Sequence, residues 1–201
     1  LSRFGFWVIV FFTLVAIFAP LIAPYDPWEM TYDSDGNFAA LRPPSWEFPL
    51  GTTHLGYDLF SQLILATRTT LLIGIVSGFI SIFIGANVGL IAGYYGGKID
   101  EVLMRITDVL YGMPFLPFII VLIALFGREL EFIILAIVLI IWRTSARVIR
   151  AQAMSIKQRQ FIQMAKARGA SDLRIIYRHI LPNVLPLLLL YASFNIAWSI
   201  I

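Results

Sequence analysis

The feature that most restricts this chain is a series of long uncharged runs. Phe4 to Ala23 carries no charge, and neither does Thr70 to Tyr94 or Val109 to Phe126. A helix that crosses the hydrocarbon core of a bilayer needs about 20 mostly apolar residues at about 1.5 Å each. A fourth run starts near Leu130, and a fifth starts near Leu181 and passes through Pro186 to Ile201. Composition agrees: 59% of the 201 residues are hydrophobic and 13% are charged, against about 25% charged in soluble domains. That balance argues against a soluble enzyme and against disorder. The expectation is an all-α polytopic membrane protein. The chain has no cysteine, which removes disulfides, thiolate metal sites and Cys nucleophiles. Its two histidines, His54 and His179, stand far apart, so no metal site is expected. His54 reads as a turn residue, and His179 as a partner for a helix-end carbonyl.

Residues 1–23 read as the first transmembrane helix. Arg3 before an apolar core also suits a secretory signal peptide, but the run is long for one and Pro20 and Pro24 bracket its end. Residues 24–69 read as an extracytoplasmic loop rich in Pro and acidic residues. Tyr25, Trp28, Tyr32 and Trp46 suit the lipid headgroup level. Tyr57 to Arg68 reads as a short interfacial or re-entrant helix. Residues 70–201 form the main membrane core, with a cytoplasmic hairpin at 151–180. The chain starts without Met and stops inside an apolar run, which reads as part of a longer protein.

In the second run, Gly74, Gly78, Gly85, Gly89, Gly93 and Gly97 recur mostly at spacing four. Small residues on one face let helices approach closely in lipid, either within this chain or against a partner. Pro114 and Pro117 are expected to kink the third span. The fourth run loses its apolar character after Trp142, about 20 Å along. Arg143, Arg147 and Arg150 then share one helix face, as a wet basic stripe on a helix projecting from the membrane. Asp108 sits at a membrane edge, with Arg105 one turn earlier as its expected ion-pair partner.

Alternating the spans puts all but Arg42, Arg68 and Arg128 of the fifteen Lys and Arg on the N-terminal side. The positive-inside rule makes that side cytoplasmic. The net charge of +3 is therefore a mark of topology, and nucleic acid is not an expected partner.

The most informative stretch is Gln160 to Asn183, QFIQMAKARGASDLRIIYRHILPN. A short helix ends at Gly169, with Lys166 and Arg168 near its negative end. Ser171 is placed to cap the next helix, with Asp172 in its first turn. Phe161, Met164 and Ala165 form one apolar patch, and Leu173, Ile176, Tyr177 and Ile180 form a second. Pro182 marks re-entry into the membrane. The hairpin is too short for a core of its own, so it must pack on the spans, on a partner, or on both. It is either an ordinary surface loop or a docking element for a cytoplasmic protein.

This stretch resembles the EAA loop of ABC importer permeases. Gln163, Met164 and Ala165 fall at the Glu-Ala-Ala positions, Gly169 at the glycine, and Ile180, Leu181 and Pro182 at the closing Ile-Leu-Pro. Gln163 replaces the family's carboxylate. Leu50 to Ser61, LGTTHLGYDLFS, is similar to the leader segment of the dipeptide/oligopeptide (peptide/nickel) permease subfamily, of its second-permease type, with Tyr57 where Arg is common. Ala92 to Asp108, AGYYGGKIDEVLMRITD, matches the same subfamily.

The resemblance implies a type I ABC importer-like permease fold, with five spans visible of six, in the inner membrane of a prokaryote. It implies a second permease subunit, two ATPase subunits and an extracytoplasmic solute-binding protein as partners. ATP and Mg would be bound by the ATPase subunits, and no cofactor by this chain. Coupling to the ATPases falls to Gln163, Ala165, Lys166, Arg168, Gly169, Ala170, Ser171 and Asp172. Gly93 to Ile99 is superficially like a phosphate loop, but Ala92 stands at the first glycine position and Ile99 at the Ser/Thr position. Asn87, Tyr111, Tyr191, Asn195 and Trp198 are the candidates to face a substrate pathway. The solute expected is a di- or oligopeptide, with oligosaccharide and nickel as alternatives in the same subfamily. A stand-alone secondary carrier is the competing class, and it predicts intramembrane ionisable residues and inverted repeats. A structural subunit, with the hairpin serving assembly only, is a third.

Overall fold

A computed structural model describes the backbone of residues 2–200 and the side chains of residues 3–200. Among these residues all regular structure is helical, apart from two isolated β-bridges, Tyr32 with Phe38 and Thr52 with Asp58. The helices are α1 (Ser2–Ile22), α2 (Leu59–Tyr95), α3 (Gly97–Gly112), α4 (Phe115–Phe126), α5 (Leu130–Lys157), α6 (Gln160–Ala167) and α7 (Asp172–Ile200). Four of them, α1, α2, α5 and α7, are long and apolar enough to cross a membrane, and α3 with α4 makes a fifth if the bent pair counts as one. The chain divides into two compact units, Leu1–Leu72 and Ile73–Ile201.

The first unit contains an ordered loop. Asp33 accepts the backbone N–H groups of Asp35 and Asn37 and pairs with Arg42. The Thr31 hydroxyl donates to the Gly56 carbonyl at 2.7 Å, and the Thr52 hydroxyl donates to the Ala39 carbonyl. Phe48 is buried beside Tyr25, with ring centroids 5.4 Å apart. Burial, and then the charges of Glu47 and Asp58, push the Tyr25 phenol above its ordinary value. Asp58 caps α2 by accepting the Ser61 N–H at 2.8 Å. The expected separate helix at Tyr57–Arg68 is not separate: α2 runs without a break from Leu59 to Tyr95. No proline interrupts it, and a continuous ladder leaves no backbone group unpaired in lipid.

In the second unit the glycine stripe packs within the chain. A Cβ on Gly85, Gly89 or Gly93 would stand 2.7, 2.5 or 2.6 Å from the carbonyl oxygens of Trp142, Ala146 and Arg150 on α5. A Cβ on Gly78 would lie 2.5 Å from Ile196 on α7. These contacts need glycine because backbone lies against backbone. Beneath them, Leu90 and Tyr94 of α2, Ile149, Ala153 and Ile156 of α5, and Ile175, Ile176 and Ile180 of α7 share one buried cluster.

Three expectations need correction here. The third span is broken rather than kinked, because α3 and α4 meet at 90°. Met113 and Pro114 are both extended, as the residue before a proline prefers. Pro117 lies in the first turn of α4, where its missing N–H costs nothing, so it makes no kink. Pro182 lies inside α7, which runs from Asp172 to Ile200. Residues Ile175–Ile180 form a π-helical turn, and the Leu181 N–H reaches back to the Ile176 carbonyl. That wider turn just ahead of Pro182 accommodates the proline ring and its missing donor. Finally, the Arg143, Arg147 and Arg150 face is only partly a wet stripe: Arg147 stays exposed, but all three side chains reach α3. Arg150 holds Asp100 through two nitrogens, Arg147 holds Asp108, and Arg143 donates to the Leu110 carbonyl. The stripe is a seam with α3. Arg105 turns instead to Glu101, one turn earlier on α3.

Candidate functional site: the hairpin and the cavity beside it

The hairpin is built from two helix ends and a turn. α5 stops at Lys157, and Gln158 and the extended Arg159 swing the chain into α6. After Ala167 the chain leaves α6 through Arg168 and Gly169, whose φ is +79°. The Ala170 N–H bonds the Ala165 carbonyl at 3.1 Å and the Gly169 N–H bonds the Lys166 carbonyl at 3.0 Å. This pair of bonds is the Schellman ending that a left-handed residue permits. A Cβ on Gly169 would meet nothing within 4 Å, so glycine is required by the backbone angle alone. Ser171 occupies the N-cap position of α7, but its side chain makes no capping bond. In its place, Asp172 accepts a 2.5 Å hydrogen bond from the Tyr94 hydroxyl of α2.

The hairpin has one inner and one outer face. Ile162 is 2% exposed and Ile175, Ile176 and Ile180 are fully buried in the shared cluster. The outer face carries Gln163, Lys166, Arg168, Gly169, Ser171 and Asp172, all exposed, with Ala165 and Ala170 half-buried behind them. Phe161, Met164 and Leu173 are also exposed, at 40, 56 and 63%. Of the two apolar patches read from the sequence, the first faces outward through Phe161 and Met164, and the second is split: Ile176 and Ile180 face the core, while Leu173 and Tyr177 are exposed. Gln163 donates to the Lys157 carbonyl at 3.2 Å, which ties α6 back to the end of α5.

Two bonds lock the hairpin side to α2. Besides Tyr94 with Asp172, the Tyr177 hydroxyl donates to the Asn87 side-chain carbonyl at 2.7 Å, and Asn87 donates to the Phe83 carbonyl. Asn87, a pathway candidate, anchors α7 and also lines a second cavity of about 510 Å³ with Lys98 and Val102. Tyr94 was not singled out from sequence. It stands seven residues after Asn87, two turns along the same face, and that spacing was the available signal.

Three of the other four pathway candidates converge. Tyr191, Asn195 and Trp198 of α7 line a cavity of about 700 Å³ with Phe115 of α4 and Ile140 and Arg143 of α5. Asn195 is 3% exposed and donates to the Ser145 hydroxyl at 3.0 Å. Tyr111 stands apart from the lining: its hydroxyl pairs with Thr144 at 2.9 Å, and its ring faces the guanidinium groups of Arg143 and Arg147 at 4.5 and 4.0 Å. No group of His, Asp or Glu among the described residues could hold a metal ion.

The chain is helical with four or five candidate membrane spans and a buttressed hairpin, and sequence comparison gives its family. Residues 85–201 match the family described as binding-protein-dependent transport system inner membrane component, and residues 1–44 match the N-terminal TM domain of oligopeptide transport permease C. The chain belongs to the first family. Its relatives include the oligopeptide transport system permease protein OppC of Haemophilus influenzae, 38% identical over 94% of this chain and 59% of that protein. The dipeptide transport system permease protein DppC of Bacillus subtilis is 32% identical over all of this chain and 61% of that one. The glutathione transport system permease protein GsiD of Pectobacterium atrosepticum is 34% identical over 93% of this chain and 61% of its own length. The chain thus spans about three-fifths of the length of these relatives.

Proposed function

We propose that this chain is a permease subunit of an ATP-driven, binding-protein-dependent importer of di- or oligopeptides. Its partners are a second permease, two ATPase subunits that bind ATP and Mg, and an extracytoplasmic solute-binding protein. The chain itself catalyses nothing. It lies in the inner membrane of a prokaryote with its N-terminus cytoplasmic, as the distribution of Lys and Arg supports.

The observation that carries this reading is the two-faced hairpin. Its outer strip, Gln163 to Ser171, is open for a partner, with Met164 as an apolar knob among Lys166 and Arg168. Its inner side is keyed to three long helices through Ile162, Ile175, Ile176 and Ile180. A push on the outer strip passes into α2, α5 and α7 together, because close-packed interiors transmit displacement. The Schellman corner makes the hairpin stiff, and Tyr94–Asp172 and Tyr177–Asn87 link it to α2. Closure of the ATPase pair would by this route switch the spans between inward and outward access. Relatives named for oligopeptide, dipeptide and glutathione transport favour peptide over oligosaccharide or nickel.

The test is ATP hydrolysis by the full assembly in lipid, with and without peptide-loaded binding protein, comparing wild type with Gly169→Pro. Proline fixes φ near −65° and cannot adopt the +79° of Gly169. The expected result is an assembled variant whose hydrolysis no longer responds to loaded binding protein. A variant that responds like wild type, or solute flux without ATP, contradicts the reading.

A further inference from the structure

The three arginines on the α3-facing side of α5 are not equivalent. Arg150 holds both oxygens of Asp100, and Arg147 holds Asp108. Among the described residues Arg143 has no carboxylate partner. It gives one N–H to the Leu110 carbonyl and lays its guanidinium against the Tyr111 ring. A guanidinium has five N–H donors in a flat fork, and the described residues take up only part of that capacity. Arg143 is also the member of the three that lines the cavity between α4, α5 and α7, and the residues lining that cavity include no other charged side chain. It stands about 20 Å along α5 from Leu130, within membrane depth. A charge held there without a counter-charge is expensive, and such residues mark the path of a permeating species.

We propose that Arg143 is a transit station for the C-terminal carboxylate of the peptide passing through this permease. This deepens the importer reading and rests on it. A carboxylate fits the fork of an arginine bidentately, and every linear peptide with a free C-terminus brings one. The cavity, at about 700 Å³, is in the range that holds a small ligand. Its other walls include the aromatic Phe115, Tyr191, Phe194 and Trp198 and the aliphatic Leu116, Ile140 and Ile141, which offer contact to side chains of varied shape without selecting one. The Leu110 carbonyl and the Tyr111 ring fix the guanidinium plane before the peptide arrives and already absorb part of its charge. Both features suit a site that orients a peptide and then releases it.

The experiment uses the assembled transporter in proteoliposomes with its binding protein. Uptake of radiolabelled trialanine is compared with that of trialanine amide, in wild type, Arg143→Gln and Arg143→Lys. The quantity read is the ratio of free-acid to amide uptake. Any preference of the binding protein enters all three ratios equally and cancels. The expected result is a ratio about tenfold lower in Arg143→Gln and an intermediate ratio in Arg143→Lys. If Arg143→Gln fails to assemble, Arg143→Lys carries the same comparison, because it keeps the charge and loses the fork. A ratio within about twofold of wild type overturns the proposal, including the case where both substrates slow together because Arg143 pairs with an acid of the partner permease. Wild type that takes up neither substrate contradicts the importer reading instead.

Discussion

α5 is held by two seams of opposite kind. Toward α2 the contact is glycine against backbone: Gly85, Gly89 and Gly93 leave room for the carbonyls of Trp142, Ala146 and Arg150 and for nothing more. Toward α3 the contact is long side chains: Arg143, Arg147 and Arg150 reach to Leu110, Asp108 and Asp100. In lipid, apolar packing has no hydrophobic gain over the acyl chains, so close van der Waals fit and polar contacts hold helices together. The glycine seam uses the first and has no slack, because a Cβ cannot be added without moving a backbone. The arginine seam uses the second, and a four-bond side chain can follow a small sliding of its partner. The first seam fixes the frame to which the hairpin is keyed; the second is adjustable and borders the cavity.

The largest expected effect comes from breaking the rigid seam. Gly89→Leu would place a Cβ 2.5 Å from the Ala146 oxygen and 2.9 Å from the Arg150 nitrogen. Backbone cannot yield as a side chain does, so the cost should reach about 3 kcal/mol or more. It would be read as loss of folded, monodisperse protein in detergent. Next come the two ion pairs of the adjustable seam, which should differ. Asp100 and Arg150 keep only 13 and 32% of their side-chain surface exposed, whereas Asp108 and Arg147 keep 64 and 42%. Thermal unfolding should show about 1–2 kcal/mol lost for Asp100→Asn, discounted from a fully buried pair, and under about 1 kcal/mol for Asp108→Asn. Equal losses would mean that burial does not grade the seam. Ser171→Ala should be the smallest, within about 0.5 kcal/mol, since the Ser171 side chain makes no capping bond.

The hairpin corner was legible in the sequence because its determinants are local. Gly169, Lys166 and Arg168 announce the end of α6, and the Schellman bonds follow from them within six residues. The glycine stripe was legible as a face, though not which helix covers it. The arginine seam was not legible, since Arg105 lies one turn from Asp108 and looked like its natural partner. The true partner, Arg147, is 39 residues away, and only the fold of α3 back along α5 brings it near. Proline was visible at 114, 117 and 182, but position within the turn decided each outcome: a 90° break at the first, nothing at the second, and a π-helical turn ahead of the third. The pathway candidates separated for the same reason. Asn87 faces Tyr177, while Tyr191, Asn195 and Trp198 share a cavity, and no periodicity within one helix distinguishes the two.

The central claim is that the exposed strip of the hairpin is where the ATPase subunit acts. The 201 residues contain no cysteine, so in an assembly cleared of other cysteines a single Cys introduced at Met164 gives an unambiguous attachment point for a short photo-crosslinker. Met164 is 56% exposed on the hairpin, and Leu125, 72% exposed on α4, serves as the control site. In the assembled transporter the Met164→Cys variant should crosslink to an ATPase subunit, with a yield that changes when ATP is added, and Leu125→Cys should not. Crosslinking from neither site, or equal ATP-independent crosslinking from both, would contradict the claim.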